Sequence, residues 1–136
     1  MDIMENELVN VAMQIILHAG DARLRVEDAL AQAKQFHFDE AKQKIAEAEE
    51  CIHQAHVAQT EVIQNETRGK TYEPCLLFAH AQDTLMTIMS ELNLAKELIA
   101  FFEIMNKKIE EKKEAEPCQR DFQTIFYGVL LPVPIR

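Results

Sequence analysis

The chain predicts an all-α fold, an antiparallel three-helix bundle, on two observations. Apolar residues recur at three- and four-residue steps through three long stretches, the period of a helix with one buried face. Breakers are scarce: 136 residues hold 3 Gly and 4 Pro, and all but Gly20 fall between or beyond those stretches. The length suits a single domain, and a hydrophobic content of 48% can fill a core. An up-and-down array of three long helices is thin, however, and leaves much surface in water, so association would bury the excess.

The first helix is expected to start from a cap at Asn6 or Asp2. Leu8, Val11, Ala12, Ile15, Ala19, Ala22, Val26, Ala29 and Ala33 then form its core stripe, which runs to about Lys34. Its alanines permit close helix approach. Gly20 sits in mid-helix, where it costs about 1 kcal/mol relative to Ala; a packing or functional reason is therefore expected, and a neighbouring helix passing at that level is the plain one. Gln35-Phe36-His37-Phe38 breaks the pattern, and Asp39 is the expected N-cap of the second helix, with Phe38 as its apolar staple. Ala41, Ile45, Ala48, Ile52, Ala55 and Val62 form the second stripe, and Glu40, Lys44, Glu47 and Glu50 read as a solvated face. His53 and His56 lie i, i+3 apart, but without a completing set of ligands they read as solvated too.

Glu66–Glu73, around Arg68-Gly69-Lys70, is the second turn. Pro74 suits the first position of a third helix, which then meets no breaker to about Lys113. Its core stripe is Phe78, Ala81, Leu85, Ile88, Leu92, Ala95, Ile99 and Phe102. From Asn106 to Glu116 the chain is a charge run, expected to fray into solvent. Domain organisation follows: residues 1–113 form the helical domain, and 114–136 a tail whose stretch Phe122–Ile135 is apolar and punctuated by prolines.

A net charge of −9 argues against a nucleic-acid partner, which needs a basic stripe, and favours docking of basic surfaces. Cys51, Cys75 and Cys118 are odd in number and include no CxxC pair. With no signal peptide evident, they fit a reducing cytoplasm. No apolar run approaches the ~20 residues of a membrane span.

The informative feature is the second face of the third helix. It carries His80, Asp83, Thr84, Thr87 and Glu91 in its first half, then Leu94, Leu98, Phe101 and Met105. A solvated face would stay polar throughout, and a core face would not begin with those residues, so this face reads as an interface with another helix. His80 and Asp83 are neighbours at i, i+3. An imidazole beside a carboxylate in a partly closed interface can act as nucleophile or metal ligand; the plain alternative is a surface ion pair.

The stretch Leu76-Leu-Phe-Ala-His80-Ala-Gln-Asp83-Thr-Leu-Met86 resembles the phosphorylation-site segment of the lactose/cellobiose (chitobiose) class of enzyme IIA, a component of the bacterial sugar phosphotransferase system. The family pattern is His-Ala-Gln-Asp-His-Leu-Met, and Thr84 replaces its second His. A further match is His18-Ala-Gly20-Asp21-Ala-Arg23, and the likeness runs from about Glu5 to about Lys108. The resemblance implies a homotrimer of three-helix bundles with the active histidine in clefts between subunits. It implies that His80 accepts phosphate on Nε2 from the histidine-containing phosphocarrier protein and passes it to a cysteine of the cognate enzyme IIB. The sugar would be a β-diglycoside of the cellobiose, chitobiose or lactose type. Contact with the membrane would be indirect, through the sugar permease. It implies, further, that Asp83 from three subunits shares a structural Mg2+ ion at the axis. Transferred phosphate needs donors, and these are expected from neighbouring side chains such as Thr84 and Thr87, or from another subunit. Two other readings remain: a non-catalytic helical oligomeric adaptor whose His80 face is only a seam, and a helical metal protein, which lacks Glu-x-x-His on two helices.

Overall fold

In the computed structural model the described residues run from 3 to 115, with side chains described from Glu7 onward. They form three helices, α1 (Ile3–Lys34), α2 (Phe38–Thr67) and α3 (Leu76–Ala115). Short connections reverse the chain twice, so α1 and α3 run parallel and α2 antiparallel to both. α1 packs along both partners, while α2 and α3 touch each other least. It is therefore the central helix of the domain.

The stripe expected on α2 is buried in full, and so is that on α1 apart from Val11, which is half-buried against the core. Five core alanines of α1 (Ala12, Ala19, Ala22, Ala29 and Ala33) are almost wholly inaccessible and let the neighbours approach closely. Ile15, Leu85 and Ile88 are the largest fully buried side chains and mark the centre. On α3 the stripe holds from Ala81 to Ile99, with Phe78 packed at its edge, but Phe102 is 42% exposed. Helix length explains that departure. Arg23 of α1 and Glu91 of α3 are bonded directly, at 2.8 Å for each nitrogen–oxygen pair. Parallel helices rise equally, ~1.5 Å per residue, so α1 ends at Lys34 level with about Phe102, and that ring stays partly open.

Helix ends also differ from expectation. Asn6 lies inside α1 and does not cap it; Asp2 lies outside the described residues. α2 begins two residues earlier than expected, with His37 at the N-cap and no side-chain cap bond. Asp39 falls instead in the first turn with Glu40, where carboxylates favour the positive end of the helix dipole. Pro74 stands one place ahead of the N-cap of α3, because the first helical bond runs from Ala79 N to Cys75 O at 3.1 Å. The charge run does not fray at Asn106; α3 stays helical to Ala115. Lys and Glu are good helix formers, and Lys113 pairs with Glu110 at 2.9 Å.

Both turns close in the same way. After α1, His37 N bonds Gln32 O and Phe36 N bonds Ala33 O, each at 3.0 Å. After α2, Lys70 N bonds Asn65 O and Gly69 N bonds Glu66 O, also at 3.0 Å. These pairs are Schellman caps, which need a left-handed residue. Gly69 (φ 95°) meets that need without strain, whereas Phe36 (φ 63°) adopts it with a side chain, its ring edge-on to Phe38 at 6.3 Å. Ion pairs set the register of the bundle. Lys70 joins Glu7, Lys42 joins Glu103, Arg25 joins Glu47, and Lys96 joins Glu49. Each is at least partly exposed, so solvent screens it and it fixes register more than it adds stability. The supposedly solvated face of α2 is thus partly an electrostatic seam, with Glu47 held by Arg25 at 3.3 Å and by Lys44 at 3.1 Å.

Candidate functional site

His80 lies in the second turn of α3, one residue before buried Ala81, which turns its ring away from the core. Its side chain and that of Asp83 are exposed. Among the described residues no ion pair or side-chain hydrogen bond engages either group, so the plain reading of a His80–Asp83 ion pair does not hold within one chain. Only their backbone carbonyls are engaged: Thr84 Oγ1 donates to His80 O and Thr87 Oγ1 to Asp83 O, both at 2.8 Å. This departs from the expectation for the threonines. A hydroxyl has one proton to give, and here each is given to the preceding turn, a habit of mid-helix Thr. Thr84 and Thr87 therefore offer acceptors, not donors, to an anion at His80.

The apolar half of the face is open as expected. Leu94, Leu98, Phe101 and Met105 are all exposed, Leu94 by 62% and Phe101 by 58%. A row of this size on one helix marks an interaction surface. Its 3–4 spacing, continued upward through Glu91, Thr87 and Thr84 to His80, is that of a coiled-coil seam.

A second row escaped the sequence reading. Met13, Leu17 and Leu24 of α1 are exposed, the last two by 61% and 60%. With Gly20 they are spaced 4, 3 and 4, and they trail the core stripe by two positions, which puts them on the opposite side of α1. That signal was present in the sequence, but the alanine-rich stripe beside it satisfied the helical period first. Arg23 adjoins Gly20 at i+3, and Glu91 adjoins both Thr87 and Leu94. Their bidentate bond therefore bridges the two rows into one surface. By helix level, Met13–Leu24 lies alongside Ala81–Leu92, the half of α3 that carries His80 and Asp83.

Gly20 faces no crowding in this chain: a Cβ added there meets nothing within 4 Å. The expectation that a neighbouring helix of the same chain requires it is thus overturned. Cys51 and Cys75 are free thiols. Burial, with the negative charge of Asp21 second, pushes the Cys51 thiol up, which makes it a poor nucleophile. His53 is exposed, but His56 is half-buried with Nε2 2.8 Å from Met89 Sδ, so it helps join α2 to α3 and is not solvated. Among the described residues no three His, Cys, Asp or Glu side chains of one chain gather as metal ligands. No described helix is long and apolar enough to cross a membrane. The tail from 116 to 136 lies outside the described residues.

Comparison with known proteins agrees with this fold. Residues 10–103 match the family model of the lactose/cellobiose-specific IIA subunit of the PTS system. A lichenan-specific phosphotransferase enzyme IIA component of Bacillus subtilis is 41% identical over 112 residues, 82% of this chain and 98% of that protein. The crystal structure of the PTS cellobiose-specific enzyme IIA from Bacillus anthracis superposes with a TM-score of 0.71 at 38% identity, covering 79% of this chain and 95% of that one. IIA(Chitobiose) of Escherichia coli, solved in solution as a complex with HPr, gives 0.64 at 36% identity, covering 73% and 96%. The chain belongs to the lactose/cellobiose-specific IIA family of the phosphotransferase system and is a phosphotransferase component of that kind.

Proposed function

We propose that this chain relays phosphate through His80, taking it from HPr and giving it to a cysteine of a cognate IIB, for uptake of a β-diglycoside. The observation that carries the reading is the exposed His80 ring, free of side-chain partners among the described residues, at the polar end of an otherwise apolar seam. A relay histidine must be reached by two partners in turn, and an exposed ring on a helix surface meets that need. The solved complex of a relative with HPr supports the first partner. Transfer moves the phosphoryl group from the phosphohistidine of HPr to Nε2 of His80, and from there to the IIB thiolate. Because Thr84 and Thr87 have spent their protons, donors to the phosphate come from a second subunit or from the docked partner.

We further propose that the chain works as a cytoplasmic homotrimer. Leu94, Leu98, Phe101 and Met105 supply the seam of α3, and Met13, Leu17 and Leu24 a flanking contact, with Gly20 leaving room between them. Asp83 from each subunit would be an oxygen ligand of one shared Mg2+, a hard ion suited to carboxylates. Without a cation, carboxylates gathered in a closed interface repel. The ion is structural in this reading and takes no part in the transfer. Residues 114–136 lie outside the phosphotransfer domain, and a chain truncated after Lys113 keeps the activity.

Incubation with phosphoenolpyruvate, enzyme I and HPr tests the relay. The wild type gains one acid-labile phosphate per chain, His80→Ala and His80→Gln gain none, and single changes at His18, His37, His53 or His56 leave it intact. Wild type that stays unphosphorylated under these conditions leaves the non-catalytic adaptor as the correct reading.

A further inference from the structure

The turn of α3 that follows His80 holds a hydrogen-bond acceptor with nothing yet to accept. Thr84 Oγ1 gives its proton to His80 O at 2.8 Å, and a hydroxyl oxygen keeps two lone pairs after its proton is placed. Among the described residues no side chain donates to them. Nor is this oxygen simply turned out to water: Thr84 is half-buried, while His80, Asp83 and Thr87 around it are exposed. Thr84 lies two turns before Glu91 and so shares the side of α3 that Glu91 presents to Arg23 of α1. Lone pairs repel a phosphoryl group and match an N–H. The guanidinium of Arg23 is committed to Glu91, and the backbone N–H groups nearby serve the helix. The N–H within reach is that of the His80 ring, since residues four apart on a helix have Cβ atoms about 5–6 Å apart.

We propose that Thr84 is a positioning residue for the relay: its oxygen accepts Nδ1–H of His80, fixes the tautomer of the ring and leaves the Nε2 lone pair free for the phosphoryl group. This deepens the reading of His80 as the phosphate carrier and rests on it. The ring, which has no other side-chain partner among the described residues, reaches the bond by rotating about its own side-chain torsions. A neutral imidazole carries one ring proton, and the nitrogen that holds it cannot attack. In water the ring favours the Nε2–H form, which blocks transfer at Nε2; a hydrogen bond at the other nitrogen decides the tautomer. The transfer then balances without a base. The Nε2 lone pair forms the new N–P bond while the N–P bond of the HPr phosphohistidine breaks, its electron pair returning to that ring. His80 keeps its Nδ1 proton and gains positive charge, so its bond to Thr84 becomes charge-assisted and strengthens as the charge develops. When the phosphoryl group passes to the IIB thiolate, the bonding pair returns to Nε2 and the same tautomer is restored. Asp83 is the competing acceptor. It flanks His80 on the other side from Thr84 and is exposed to water.

Long-range nitrogen–proton NMR of the unphosphorylated full chain tests this at about pH 8.5, above the ordinary histidine pKa of ~6.5, with the His80 signal assigned by its loss in His80→Gln. Wild type should hold His80 mainly as Nδ1–H. Thr84→Val keeps the side chain's shape and helix propensity but removes the acceptor. It should lower the ratio of Nδ1–H to Nε2–H about fivefold, the effect of one net hydrogen bond, and Thr84→Ser should restore it. The initial rate of phosphate uptake from HPr should fall with the Nδ1–H fraction in Thr84→Val and recover in Thr84→Ser. A ratio that Thr84→Val leaves unchanged, or that moves only with Asp83→Leu, would overturn the proposal. So would a Thr84→Ser chain as slow as Thr84→Val. The tautomer is read without any phosphate donor, so a wild type that shows the Nδ1–H bias yet takes up no phosphate supports the pairing and counts against the relay alone.

Discussion

Gly20 separates the fold of one chain from the surface it presents. Within the chain, Gly20→Ala adds a methyl group that meets nothing within 4 Å, and Ala is better than Gly in a helix interior by about 1 kcal/mol. No clash offsets that gain. Measured on dilute, unassembled protein, the variant should be more stable by about 1 kcal/mol. With a urea m-value of ~2 kcal/mol/M, the midpoint rises by about 0.5 M. Gly20→Leu keeps nearly the same propensity, and its Cβ meets the same open space, so the single chain should tolerate it about equally. Assembly should not. Gly20 lies between Leu17 and Leu24 on the exposed row of α1, and in the proposed trimer a leucine there would fill the gap left for the neighbour. Sedimentation velocity should find Gly20→Ala still trimeric, or slightly weakened, and Gly20→Leu shifted towards monomer. A dilute Gly20→Ala chain less stable than wild type would refute the account of α1. A fully trimeric Gly20→Leu would remove this row from the interface.

What could be read in the sequence divides along a physical line. The buried stripes were legible because a helix with one covered face must repeat at 3.6 residues, and Ala41 to Val62 and Ala81 to Ile99 do so without interruption. That the face from His80 to Met105 lies outside the core was legible for a related reason, since a core face would not begin with His80, Asp83, Thr84, Thr87 and Glu91. Helix ends were less so. Asn6, Asp39 and Pro74 each satisfy a local rule for starting a helix, but where a helix starts depends on packing and on the preceding turn, and α1–α2 uses a Schellman cap at Phe36 in place of a glycine signal. Phe102 keeps the core period and is still exposed, because periodicity cannot report that the partner helix has already ended. Pairings across helices were invisible: Arg23 and Glu91 lie 68 residues apart, and only the register of α1 against α3 brings them together. The donor role expected of Thr84 and Thr87 failed because a residue list does not say which way a hydroxyl turns.

Other outcomes follow from the same contacts. At Phe36, Gly relieves a left-handed conformation that costs a side-chain-bearing residue ~1–2 kcal/mol, against loss of an exposed ring contact worth at most ~0.5–1.5 kcal/mol. Phe36→Gly should therefore raise the thermal midpoint slightly, and a clear drop would show that the Phe36–Phe38 contact dominates. The Lys42 ammonium beside Glu103 holds that carboxyl below its ordinary 4.5, and Glu103 holds Lys42 above its ordinary 10.5. Glu103 thus adds stability that is present above pH ~4.5 and lost as pH falls through its lowered value; the part from Lys42 is present below ~10.5 and lost above it. The stability gap between wild type and Lys42→Met/Glu103→Gln, followed by urea midpoints, should be flat from pH 6 to 9 and shrink at either extreme; a gap unchanged at pH 3 would contradict the pairing. The last prediction concerns Asp83. In the single chain it is exposed and without a side-chain partner, so Asp83→Leu should change the stability of dilute protein by no more than ~0.5 kcal/mol. In a trimer with three such carboxylates around a cation, chelation should weaken the wild type by leaving like charges uncompensated. Asp83→Leu should then assemble as well or better, because apolar replacement of buried charges is often neutral or stabilising by ~1–4 kcal/mol, and it should lose all response to chelator. Sedimentation of both proteins with and without chelator decides the point: a monomeric Asp83→Leu would mean that the carboxylate makes a favourable contact of its own, and the shared ion would have to be abandoned.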